Sequence, residues 1–185
     1  ALDILSDMVA NPLLDEKILE KEKKVVLKEI NMVNDDPRSY QWILFHKTLF
    51  DRHPAKNPTY GSIASVKKFG REHVLNYYKS HYLPNNMILS IVGNVKNTKE
   101  KIKRHFGQLK QGRAIKRQVC HEPAQSKIKR FTEKRKTFNS YMMLGYRIVP
   151  RLHKDSYVFD VISAVLGRGQ SGWMFDEIRN KRGLA

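Results

Sequence analysis

One cysteine, Cys120, is all the thiol this sequence contains. It can close no internal disulfide and build no cysteine-rich zinc cage, so any metal would need His, Asp or Glu. The scarcity also fits a reducing compartment, and the cytoplasm is the expected location. Long apolar runs are missing too. No stretch approaches the ~18 to 20 residues that a membrane-spanning helix needs, and residues 1–10 open directly on a helical pattern instead of a basic, apolar leader. A soluble chain with no membrane partner is expected. The seven histidines, at 46, 53, 73, 81, 105, 121 and 153, form no HxxEH or HExxH pair. Glu72 and His73 are adjacent, but Phe69 stands where the first histidine of HxxEH would be.

Acids are the other shortage. Eighteen Asp and Glu face 35 Lys and Arg, a formal charge of +17 in 185 residues. Such a charge steers nucleic acid, anionic lipid or acidic peptides without naming one of them. It is densest over 101–136, where only Glu122 and Glu133 oppose the bases. A nucleic-acid groove would interleave aromatics for base stacking, whereas Phe106 and Phe131 stand isolated. A solvated linker and sheet edge is the reading adopted, and nucleic acid is not expected as a partner.

What is present is apolar periodicity and punctuation. The hydrophobic content of 41% is enough to bury a core in one large domain or in parts of two. Residues 1–10 predict a helix that Asn11 and Pro12 stop. Asp15 is placed to cap a second helix over about 16–34. A third, YQWILFHKTLF, sets Trp42, Phe45, Leu49 and Phe50 toward a core, and DRHPAKNPTYGS is a loop. Helical pattern resumes over 63–82 and again in KEKIKRHFG, which Gly107 ends. Between them MILSIVG, 87–93, predicts a buried strand. Beyond a basic, structure-poor stretch the strands KIKRFTEK and SYMMLGYRIV and two helices suggest a second unit, so the expected class is α+β.

The second helix carries an anomaly. At 100° per residue Glu22 and Glu29 fall about 20° apart, on an arc shared with Ile18, Val25, Val26 and Val33. Lys21, Lys23, Lys24 and Lys28 are expected to be its solvated flank. Carboxylates turned inward without partners cost several kcal/mol, roughly, unless protonated, paired or metal-bound. Either each acid meets a Lys or Arg from another element, or the stripe sits at a wet edge, or the pair belongs to a metal site. Two acids alone do not decide between these.

The order of residues from NPLLDEKILEKEKKVVLKEI through HPAKNPTYGS to YYKSHYLPNNMILSIVGNV and HFGQL resembles the segment downstream of HxxEH in the pitrilysin, insulinase and mitochondrial processing peptidase family, M16, of zinc metallopeptidases. RIVPRLHKDSYVFDVISAVLGRGQSGWMFDEIRNKRGLA resembles the opening of that family's second, homologous domain. The resemblance implies a processing-peptidase-like α+β fold. Residues 1–110 would close a catalytic-type domain, 111–126 would be a basic linker, and 127–185 would open the second domain. It implies zinc as cofactor, with EKEKKVVLKE supplying Glu29 as a ligand and Glu22 as its supporting acid. Arg179, in RNKRGLA, would anchor the substrate peptide. The HxxEH histidines and base would lie before Ala1, so no catalytic residue is named here and the piece alone is expected to be inactive. Peptides or unfolded polypeptides enclosed in a chamber are the implied substrates. A homodimer or an M16 partner subunit is the implied assembly. A noncatalytic structural or peptide-binding subunit is the alternative, and a basic nucleic-acid-binding module the third.

Overall fold

Aspartates punctuate the start of the chain. In the computed structural model, which describes residues 1–113, 115 and 118–185, helix α1 spans Leu2–Ala10 and α2 spans Glu16–Asp35. The Asp15 carboxylate caps α2 by accepting from the Lys17 and Ile18 amides, which have no partner within the first turn. Asp36 serves two helices. Its own N–H closes α2 on the Met32 carbonyl, and its carboxylate accepts from Arg38 and Ser39 to open α3, Pro37–Leu49, with Pro37 where a missing N–H costs nothing.

The Ser39 hydroxyl also donates to Asp36, at 2.5 Å, and together with the backbone bonds this holds the Asp36 carboxyl below its ordinary 3.8. A depressed folded value means that the cap is complete above 3.8 and is lost as pH falls through the lower folded value. Acid titration followed by NMR should therefore fray the start of α3 in that window, and Asp36→Asn, which still caps, should remove the pH dependence.

Beyond α3 a 3₁₀ turn, Pro54–Lys56, leads to α4, Ile63–Lys68, and α5, Arg71–His81. The helical pattern expected without interruption over 63–82 thus breaks at Phe69 and Gly70. There the Gly70 amide donates to His73 Nδ1 at 3.2 Å, starting a new helix. A second 3₁₀ turn, Pro84–Asn86, precedes α6, Thr98–Phe106. Helix α2 packs on α3 and α4, and α1 on α6. The Tyr78 hydroxyl donates to the Val9 and Ala10 carbonyls at 2.6 and 3.0 Å, tying α5 to the end of α1.

Residues 1–142 form one compact unit and 143–185 another. The second contains α7, Ser156–Gly167, packed on the short α8, Trp173–Phe175, which continues into a π-helical turn, Asp176–Asn180. Part of the glycine-rich LGRGQSG between them is explained by crowding. A Cβ on Gly172 would come within 3.2 Å of the backbone of Gly167 and Arg168.

Two expectations fail for one reason. No strand forms among the described residues, and 87–93, 127–134 and 140–149 run without a ladder. β-Branched sequence favours extended backbone, but a strand exists only when a neighbour accepts its hydrogen bonds, and here Ile88 and Val92 are 97% and 95% exposed. The core is correspondingly small. Among the described hydrophobic residues only Ile30 and Val66 are buried, at 3% and 5% exposure. Trp42, assigned to the core, is exposed and meets Phe45 edge to face. Helix stripes with no sheet to cover them stay in water.

Candidate functional site

Helix α2 has two apolar faces. The packed one centres on Ile30 and includes Leu19, Val26, Leu27 and Val33, all at least partly covered. Lys23 belongs to it as well. Its side chain is only 14% exposed, and the ammonium reaches Glu20 at 2.6 Å and the Phe69 carbonyl, just past α4, at 2.8 Å. A cation there complements the carbonyl end of α4. The expectation that Lys23 is a solvated flank is thereby corrected: its hydrocarbon stem covers apolar surface while its charge finds carbonyls.

The second face is exposed. Ile18, Glu22, Val25, Glu29 and Met32 follow one another at alternating steps of four and three, and all five are open to solvent. Glu22 and Glu29 therefore do not face the interior of this unit, and the inward reading is corrected. With Val26 and Val33 shared between the two faces, the apolar average falls on the acids, although the packed centre at Ile30 lies about 80° further around the helix. Among the described residues neither acid makes a hydrogen bond or ion pair. Among the described residues the pairing with Lys or Arg considered for them is not realised, and the stripe lies on an exposed face, as the wet-edge alternative expected.

The chemistry of Glu29 suits one zinc position: a carboxylate on a rigid helix, unencumbered by hydrogen bonds. It is one ligand and not a site. No group of three His, Cys, Asp or Glu able to hold a metal occurs among the described residues. Several histidine nitrogens are engaged locally, as in His46 Nδ1 with the Ala55 carbonyl at 3.0 Å and His53 Nδ1 with the Ala55 amide at 3.1 Å.

Arg179 lies in the π-helical turn of the second unit, exposed, with its guanidinium 5.3 Å from the centre of the Phe175 ring. The nearby ion pairs use Lys181, with Asp176 at 3.1 Å and Glu177 at 2.6 Å. Hydrogen bonds from Asn180 and Lys181 hold the Asp176 carboxyl below its usual value.

A constellation that sequence reasoning missed straps the first unit. The Glu122 carboxylate accepts from three consecutive backbone amides, those of Asp51, Arg52 and His53, at 2.5, 2.8 and 2.6 Å. Lys129 meets Asp51 at 2.6 Å. Arg135 stacks 3.7 Å over Tyr40 and donates to the Asn34 carbonyl at 2.7 Å, while its partner Glu133 accepts from the Tyr40 hydroxyl at 3.2 Å. The hydrogen bond from Arg135 holds the Glu133 carboxyl low. The available signal was the rarity of acids in the basic stretch: Glu122 and Glu133 are both used.

Comparison with known proteins places the chain in a family. Residues 1–62 match the family model described as insulinase (peptidase family M16), and 68–185 match the one described as the peptidase M16 inactive domain. A Bacillus subtilis protein named uncharacterized zinc protease YmxG is 29% identical over 187 residues, covering all of this chain and 45% of that protein. A Mycobacterium tuberculosis protein named uncharacterized zinc protease Rv2782c is 31% identical over 192 residues, covering 43% of its length. A crystal structure of a protease from Helicobacter pylori superposes with a TM-score of 0.81 at 24% identity, over all of this chain and 46% of the other. The chain belongs to the M16 (insulinase) peptidase family and has the fold of its domains. It spans less than half the length of these relatives. Among the described residues no helix is long and apolar enough to cross a membrane.

Proposed function

We propose that this chain contributes a zinc ligand, Glu29, and a substrate-gripping arginine, Arg179, to a zinc-dependent endopeptidase that cleaves peptides or unfolded polypeptides in an enclosed chamber. Glu22 is the supporting acid. The carrying observation is that Glu22 and Glu29 stand seven residues apart on one exposed, largely apolar seam of the long helix α2. Other exposed acids, Glu16, Asp35, Glu72 and Glu100, also make no ion pair among the described residues, so it is this shared line on a rigid helix that supports a cation brought by something else. The names of the relatives, zinc proteases, support the same metal.

In this reading the histidine ligands and the general base come from beyond these 185 residues. Residues 1–110 complete a catalytic-type domain, 111–126 link, and 127–185 begin its homologue. Bound zinc supplies the Lewis acidity that brings the pKa of a water toward ~7. Glu29 fills one ligand position from a rigid helix, and Glu22, one heptad earlier, adds negative potential that favours a cation there. Arg179 donates to a substrate carbonyl and so orients the peptide without taking part in proton transfer. The assembly proposed is a homodimer or a pair with a second M16 subunit, acting in the cytoplasm.

The test uses the protein that carries this chain together with an HxxEH segment. Glu29→Gln should lower bound zinc, measured by plasma mass spectrometry, at least tenfold and peptide hydrolysis by roughly 10²-fold or more, with Glu22→Gln falling between it and the parent. Full zinc occupancy in Glu29→Gln would overturn the ligand assignment. The 185-residue chain by itself should show no zinc-dependent proteolysis. A noncatalytic, peptide-binding role is the second reading, favoured by the description of the domain matched over 68–185 as inactive. Peptide binding without hydrolysis by the HxxEH-containing protein would select it.

A further inference from the structure

Two histidines hold the 3₁₀ turn Pro54–Lys56 through one residue, Ala55, and they do so in opposite senses. The Ala55 carbonyl accepts from His46 Nδ1 at 3.0 Å, so His46 carries its ring proton on Nδ1. The Ala55 amide donates to His53 Nδ1 at 3.1 Å, so that nitrogen is bare and the ring proton of His53 sits on Nε2. This second bond starts the turn. Pro54 has no N–H, and the amides of Lys56 and Asn57 already donate to the His53 and Pro54 carbonyls.

The two rings therefore answer acid differently. His46 can take a second proton on Nε2 and keep its bond. The basic atom of His53 is the acceptor itself, and a proton taken from solvent there sets one N–H against another. We propose that His53 is a proton-operated latch: neutral, it caps the turn and keeps residues 51–57 closed under the strap; protonated, it releases Ala55 and loosens the loop. The charged groups around it are already engaged. From the strap, Glu122 accepts from the Asp51, Arg52 and His53 amides, Lys129 pairs with the Asp51 carboxylate, and His121 is exposed. From the loop itself, the Lys56 ammonium donates to the Asp51 carbonyl at 2.7 Å and Arg52 is exposed. From α3 come His46 and the Phe50 ring, whose centre lies 5.2 Å from that of His53. Among the described residues no carboxylate pairs with the His53 ring, so an imidazolium gains no ion pair for the bond it loses. The loop is remote in sequence from Glu29 and shares no bond with it, so the inference stands apart from the peptidase reading.

The experiment is NMR on the 185-residue chain between about pH 8 and pH 5, the interval in which imidazoles exchange their charge. At the alkaline end, long-range nitrogen–proton correlations should show His53 as the Nε2–H tautomer and His46 as the Nδ1–H tautomer. On acidification the Ala55 amide, its exchange corrected for the intrinsic effect of pH, should lose about fivefold or more in protection. The Lys17 amide, capped by the Asp15 carboxylate, should hold over the same interval. His53→Asn keeps a side-chain acceptor that does not titrate, so Ala55 should stay protected from one end of the range to the other. An Nδ1–H tautomer at His53, Ala55 protection that does not change with pH, or the same loss in His53→Asn would overturn the latch.

Discussion

Ile30→Ala is expected to destabilise the first unit by about 2–5 kcal/mol, measured by urea denaturation followed by circular dichroism. Ile30 is one of two buried apolar side chains among the described residues, and with Val66 it joins α2 to α4. A truncation there loses the transfer energy of the removed methylenes and leaves a gap that short, lightly covered helices close poorly. Met32→Ala, two residues away and 71% exposed, should change stability by less than about 0.5 kcal/mol. The contrast separates the two faces of one helix. Equal effects of the two substitutions would mean that α2 does not pack through the Ile30 face.

Glu122→Gln should open the strap. Three successive amides converge on one carboxylate, and an amide in its place offers a single acceptor oxygen and turns an NH₂ donor against a backbone donor. Hydrogen bonds to a charged group contribute about 1.5–3 kcal/mol each when shielded, and at this half-exposed position a total near 2–3 kcal/mol is expected. Hydrogen exchange reads it directly: the amides of Asp51, Arg52 and His53 should lose roughly 30- to 150-fold in protection. Lys129→Gln removes an exposed ion pair worth about 0.2–1 kcal/mol and should loosen the same loop far less. Unchanged exchange at 51–53 in Glu122→Gln would show that the carboxylate does not hold the loop.

Helix ends were legible in the sequence because their signals are local. Asp15, Asn11 with Pro12, and Gly107 each act on amides or carbonyls within one turn, and each stands at the helix end it predicts. Strands were not, because 87–93 and 140–149 need a partner that periodicity does not name. The face of α2 was half legible. The wheel found that Glu22 and Glu29 share a line with apolar residues, which the structure bears out, but it averaged two stripes into one and so turned an exposed seam inward. Lys23 misled for a related reason: its charge assigned it to water, whereas its stem decided where it packs. The strap was invisible because Glu122 and His53, or Arg135 and Asn34, are tied by distances in space that no spacing in sequence records.

The alternation along the exposed seam also restrains self-association. Ile18, Val25 and Met32 repeat at seven residues, the period with which two helices wind about each other, and an uninterrupted apolar line of that kind would invite a second copy. Glu22 and Glu29 stand at every intervening seam position. Two α2 helices laid together would bring like charges into a closing, water-poor contact, where repulsion grows as the dielectric falls. A partner carrying cations to those two points meets no such barrier. The acids thus decide which surfaces the apolar line accepts, and protect the chain while that line remains open to solvent.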